Sequence, residues 1–131
     1  MASPERTLFV VCGVAGCLAV ALGAFGAHAL RGYLESLPDG ASRQRVWETA
    51  AHYHLVHSLA IAVAAYLAGK PGATGVPFVA GFCFLAGIVL FSGSLYAMSL
   101  TGVRALGAIT PFGGLAFIAG WALVAVAAWR M

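Results

Sequence analysis

Apolar positions fall into four long runs separated by short polar breaks, over residues 7–30, 46–68, 77–100 and 111–129. The first, Thr7 to Leu30, holds about 24 residues without interruption, which as a helix reaches roughly 36 Å at ~1.5 Å per residue. That length crosses a hydrocarbon core of roughly 30 Å with some tilt. The breaks carry helix punctuation. In Ser3-Pro4-Glu5, Ser3 is placed to cap, Pro4 suits a first helical position and Glu5 complements the helix dipole. Arg31 to Arg45 reads as the one polar loop of any length, turned at Pro38-Asp39-Gly40. Ser42 is the predicted cap of the second helix, whose first turns stand in water, and Trp47 falls where an interfacial aromatic belt residue would. Gly69-Lys70-Pro71-Gly72 is a tight turn, and Thr101-Gly102-Val103-Arg104 ends the third run. Thr110-Pro111 reads as cap and first residue of the fourth helix, which closes on the interfacial anchor Trp129-Arg130. The predicted fold is all-α, an integral membrane four-helix bundle forming a single transmembrane domain over residues 1–131. Ala27-His28-Ala29 has the form of a signal-peptidase site, but the apolar run before it exceeds the ~7–15 residues of a signal peptide, so a retained span is expected.

Composition removes the soluble alternative. Apolar residues make up 62% of the 131 and charged residues only 8%, with a mean hydropathy of +0.95. A soluble domain carries about 25% charge. Most of this surface must therefore be solvated by lipid. The net charge of +3 does not point to nucleic acid, because Arg6, Arg31, Arg43, Arg45, Lys70, Arg104 and Arg130 all fall at the ends of apolar runs, as interfacial anchors do. Four spans put both termini on one side of the bilayer, side A, and the first and third loops on side B. Arg6, Lys70 and Arg130 lie on side A and Arg31, Arg43, Arg45 and Arg104 on side B, which leans the side-B loops toward the cytoplasm by count alone. Cys12, Cys17 and Cys83 lie within apolar runs, form no CxxC, and read as small packing residues.

Faces of the predicted helices narrow the picture further. Cys12, Ala15, Gly16, Ala19, Gly23, Gly26 and Ala27 share one narrow face of the first helix, opposite Val10, Val14, Leu18 and Phe25. Small residues let backbones approach and gain dispersion contacts, which drives helix association where lipid supplies no hydrophobic force. Gly16, Ala19, Gly23 and Gly26 are thus the expected helix-packing positions. Polar side chains gather toward side B: His28, Glu48, His52, His54, His57, Ser92, Ser94, Tyr96, Ser99 and Thr110. His57 lies about 11 residues past Val46, roughly 16 Å below the surface, where an ionisable group is expensive and a functional candidate. Glu48 and His52 share one face, while His54 and His57 share a nearly opposite one, so the three histidines of this helix cannot hold one ion together. The stripe Ser92, Tyr96 and Ser99 on the third helix is placed to hydrogen-bond His54 or His57. A neutral His57 paired with a hydroxyl or carbonyl is the expected state, ahead of a proton relay or a metal ligand. Zinc sites need at least three protein ligands, and His28, the one further candidate, sits on the bulky face near the interface.

The segment Gly23-Ala24-Phe25-Gly26-Ala27-His28-Ala29-Leu30 resembles the signature after the first span of the YgdD-like family. Trp47-Glu48-Thr49-Ala50 with Tyr53 and His57 is similar to its second-span entry, Phe91-Ser92-Gly93-Ser94-Leu95-Tyr96 to its third-span motif, and Gly107 to Gly114 with Gly120-Trp121 to its fourth. His52 and His54 depart from that pattern. The resemblance implies a small four-span protein of a bacterial inner membrane, with mitochondrial transmembrane relatives in animals, and no assigned chemistry.

With no soluble domain, nucleophile–base pair, cofactor motif or complete ligand set in the sequence, a structural or accessory membrane component is expected, not an enzyme, with no catalytic residue, metal or cofactor. Its partners are then the lipid bilayer and either further copies of itself or a larger membrane complex. The polar-cluster candidates are His28, Glu48, His54, His57, Ser92, Tyr96 and Thr110. The alternative is a small oligomeric transporter or channel component with a polar cavity near His57 and Ser92. A metal-binding protein using His28, His54 and His57 ranks last.

Overall fold

The computed structural model describes residues 3–131. Four helices, each long and apolar enough to cross a bilayer, run α1 Pro4–Glu35, α2 Gly40–Ala68, α3 Val76–Thr101 and α4 Arg104–Trp129. Two of them are locally rewound. A π turn occupies Gly26–Leu30 of α1 and another Ile88–Ser92 of α3, while α4 opens as a 3-10 turn over Arg104–Ala108 and becomes α-helical at Thr110.

The segment read as a long polar loop is mostly helix. Only residues 36–39 separate α1 from α2. Polarity there reflects helix ends that stand in water. Arg31 Nε donates to Glu35 Oε1 at 3.0 Å one turn on, and Leu34 turns inward to pack with Leu30 and Trp47. Gly40 opens α2 because the carbonyl of Leu34 occupies the space where a Cβ would stand. Ser42 therefore lies inside the first turn and is no cap; Asp39 precedes the helix, its carbonyl accepting from the Ser42 and Arg43 N–H groups. Ser3 does precede α1, yet its hydroxyl makes no cap bond. Thr110 likewise spends its hydroxyl elsewhere, as described below. At the end of α3, Gly102 takes a left-handed φ of 74° and returns its N–H to the Met98 carbonyl at 2.8 Å, which closes the helix.

The helices alternate in direction and pack in chain order. α1 lies chiefly on α2, α2 on α3, and α3 on α4, with smaller contacts between α1 and α3 and between α2 and α4. Burial follows from this: 50% of the apolar window of α2 and 44% of that of α3 are buried, against 17% for α1 and 22% for α4. α1 and α4 are the outer helices and give most of their surface to lipid. On α1, Ala15, Ala19 and Gly26 are buried toward α2, while Val10, Val14 and Leu18 on the opposite face are more than half exposed. Gly26 is a glycine because the indole of Trp47 fills its Cβ position. Around Gly16 and Gly23, by contrast, the Cβ position is open space. The side-A half of the molecule is an apolar core built on Leu8, Ile61, Ala64, Ala80, Phe84 and Phe117.

Candidate functional site

Polar contacts between helices collect in the side-B half, and they begin at the π turn of α1. A π turn displaces carbonyls from the regular ladder. Trp47 Nε1 donates to the Leu22 carbonyl at 2.9 Å, and Gln44 Nε2 to the Gly26 carbonyl at 3.2 Å. Trp47 is thus no belt residue at the interface. It is buried, seated in the gap that Gly26 leaves, with its ring 5.6 Å from Phe25 and 4.5 Å from Tyr96. Trp47→Phe keeps most of the volume and removes the indole's bond to the Leu22 carbonyl, which still accepts the Gly26 N–H, so thermal unfolding in detergent should show a loss of about 1 kcal/mol.

Deeper along α2, Ala50, His54 and His57 face inward. Ser92 Oγ, fully buried on the π turn of α3, donates to the Ala50 carbonyl at 2.8 Å. His54 Nδ1 and the Tyr96 hydroxyl lie 3.2 Å apart, the pairing across the bundle that the sequence pattern predicts. His57 is bonded at both ring nitrogens. Nδ1 lies 2.8 Å from the Tyr53 carbonyl, which can only accept, so Nδ1 carries the hydrogen. Nε2 is then the acceptor, and Trp121 Nε1 donates to it at 3.3 Å. The partners assign a single neutral tautomer. The imidazole stacks on Phe117 with ring centroids 3.5 Å apart and planes 10° from parallel.

At the outer end two more ties close the cluster. Ser94 Oγ donates to the Phe91 carbonyl at 3.0 Å, so the 2.8 Å contact between Ser94 Oγ and Thr110 Oγ1 has Thr110 as donor. Arg43 reaches across from α2 to the last turn of α3. Its Nε donates to the Ser99 carbonyl at 2.6 Å and its terminal nitrogen to the Leu100 carbonyl, while Ser99 Oγ donates back to the Arg43 carbonyl at 2.8 Å. Asp39 stands 3.6 Å from the guanidinium.

His54, His57, Ser92, Tyr96 and Thr110 therefore all enter the interior network. His28 and Glu48 do not: His28 is exposed on the π turn of α1, and Glu48, also exposed, accepts from Gln44 Nε2 at 3.0 Å, with His52 making no bond to it. Among the described residues no three His, Cys, Asp or Glu side chains come together as a metal site. Sequence reasoning left out Arg43, Gln44, Trp47, Phe117 and Trp121 as members of the network. Gly26 with Trp47 carried a legible signal, a small residue opposite a large one with a donor. Arg43 carried none, since it resembles an ordinary interfacial anchor, and nothing local to Trp121, in the middle of the fourth apolar run, points to His57.

Fold and network together define a multi-pass integral membrane protein, a four-span helical unit tied at one end by polar contacts between its helices. The family model described as "Protein of unknown function (DUF423)" matches residues 22–114, and the chain belongs to that family, in keeping with the resemblance read from its motifs. It is 48% identical to the UPF0382 membrane protein YwdK of Bacillus subtilis over 92% of this chain and 95% of that one. It is 40% identical to the UPF0382 membrane protein SH2409 of Staphylococcus haemolyticus, over 94% and 96%. A relative from Staphylococcus epidermidis is 41% identical over 92% and 93%. These bacterial membrane proteins accord with a plasma-membrane location. The comparison with solved structures found no match.

Proposed function

We propose that this protein is a non-catalytic structural or accessory component of the bacterial membrane, a compact unit that docks through its lipid-facing helices in a larger assembly. The observation that carries this reading is the closure of its polar interior. His54, His57, Ser92, Ser94 and Ser99 each have an intramolecular partner, so each of these side chains is already engaged in holding helices or turns together. Gln44 Oε1 is the one buried side-chain oxygen without a partner among the described residues, and it lies at the α1–α2 contact, away from the histidines. The lipid-facing sides of α1 and α4, with Val10, Val14, Leu115 and Ile118 more than half exposed, offer area for helix docking. Affinity capture from membranes solubilised in native lipid, with mass spectrometry of what co-purifies, tests it. A reproducible set of stoichiometric membrane partners is expected; recovery of the chain alone as a homo-oligomer would contradict it.

A second reading, an oligomeric transporter or channel component, is favoured by one feature, a groove of about 510 Å³ between α2 and α4 beside His57. Its walls are chiefly Tyr53, Val56, Phe91, Phe117, Ile118 and Trp121, and Ser92 does not line it. Under the accessory reading, liposomes holding the parent protein pass protons no faster than empty ones, and His57→Ala lowers thermal stability with flux unchanged. Proton flux in the parent that His57→Ala abolishes while the protein still folds would favour the second reading.

A further inference from the structure

We propose that the crevice between the water-facing ends of α1 and α2 binds the headgroup of a zwitterionic aminophospholipid, one that carries a phosphate and a primary ammonium. The crevice has a volume of about 430 Å³, within the range of small-molecule sites, and Leu34, Leu37 and Pro38 are among its lining. Four charged side chains line it, Arg31, Glu35, Arg45 and Glu48, two of each sign. A pocket for an anionic lipid would carry an excess of cations; this one is balanced.

The order of those charges along the bilayer normal selects the ligand. Three contacts fix the levels of the antiparallel pair: Gly40 lies against the Leu34 carbonyl, Gln44 bonds the Gly26 carbonyl, and Trp47 bonds the Leu22 carbonyl. Glu35, at the end of α1, is therefore outermost. Arg31 comes one turn inward, then Arg45, whose backbone lies between the levels of Gly26 and Leu22 and whose side chain leans back toward the N-terminus of α2 and so toward water, and Glu48 is deepest, about 4.5 Å below Arg45 along α2. From water inward an aminophospholipid presents ammonium, phosphate and glycerol. The ammonium meets Glu35, and the phosphate falls between Arg31 and Arg45. Arg31 uses only Nε on Glu35, at 3.0 Å, so its remaining N–H groups are free for a phosphate oxygen. Arg45 has no ion-pair partner among the described residues. Glu48, held by the Gln44 amide, closes the inner end against a second phosphate oxygen by like charge. A quaternary choline offers Glu35 no N–H donor, and a glycerol headgroup offers it no positive charge.

The test is native mass spectrometry of the full chain released from detergent micelles, titrated separately with phosphatidylethanolamine, phosphatidylcholine and phosphatidylglycerol of matched acyl chains, and with inorganic phosphate alone. The parent should retain phosphatidylethanolamine about fivefold over each of the others, the scale of one interfacial charge. Arg45→Gln should reduce retention of all three lipids. Glu35→Gln should abolish the preference for ethanolamine over choline and leave choline retention unchanged. Both side chains are exposed, and thermal unfolding of each variant at the parental temperature confirms that the fold is intact. Equal retention of the three lipids, a preference for phosphatidylglycerol, binding of inorganic phosphate with the same sensitivity to Arg45→Gln, or a preference that survives Glu35→Gln would each overturn the proposal.

Discussion

Arg43→Ala is expected to lower the stability of the folded protein by on the order of 3 kcal/mol, read as equilibrium or thermal unfolding in a mild detergent. The side chain is only 15% exposed, and its guanidinium satisfies two carbonyls at the C-terminal end of α3, Ser99 and Leu100. Those carbonyls have no partner within their own helix, and they carry the negative end of its dipole. Removing the cation strands both at once and also removes the packed stem. Ser99 Oγ still donates to the residue-43 carbonyl after the substitution, and Ser92 and Tyr96 still tie α3 to α2 deeper in, so the protein should remain folded at low temperature. Arg43→Lys restores the charge but presents a point donor where two carbonyls are bridged by a planar fork, so it should recover less than half of the loss. A full recovery by lysine would show that charge alone holds this end of α3.

Gly113→Ala is the second large effect. A Cβ at position 113 would overlap the backbone nitrogen of Phe91, and a backbone cannot swing aside as a side-chain tip can. α4 would have to move off the π turn of α3, weakening the Phe117 stack on His57 and the Thr110 bond to Ser94. A loss of about 2–3 kcal/mol follows. Gly16→Ala and Gly23→Ala are the controls. Each Cβ enters open space, and alanine is the better helix former by about 0.5–1 kcal/mol, so both variants should match or exceed the parent. If all three glycines behaved alike in the same unfolding assay, close helix approach would not be what distinguishes them.

The number of helices was legible because two strong signals coincide, unbroken apolar runs and Gly/Pro punctuation. The sidedness of the polar groups was legible for the same reason, since position along a span gives depth directly. The Ser92–Tyr96 stripe was readable from spacing, and Tyr96 does meet His54. Helix extension into water was not readable. Arg31, Glu35, Gln44 and Arg45 are polar whether they sit in a loop or on the outer turns of a helix, and only the burial of Leu34 separates the two. The π turns also lacked a signal, because Gly26–Leu30 and Ile88–Ser92 are ordinary apolar helix sequence. Their consequence is rotational. An extra residue in a turn shifts the face of everything beyond it, so a straight 3.6-residue projection cannot give the facing of residues on either side. Trp121 illustrates a third limit. Its bond to His57 joins residues 64 apart in the chain, and no local pattern announces it.

The chain crosses the bilayer four times with its polar network toward one face, and cysteine accessibility in sealed membranes tests this most directly. In a background with Cys12, Cys17 and Cys83 replaced by alanine, single cysteines are placed by Ser36→Cys, Ala73→Cys and Val103→Cys, each at or beside a turn between helices. A membrane-impermeant maleimide added from one side should label positions 36 and 103 together and spare 73, and inverted vesicles should give the reverse. Labelling of 36 and 73 from the same side would contradict it.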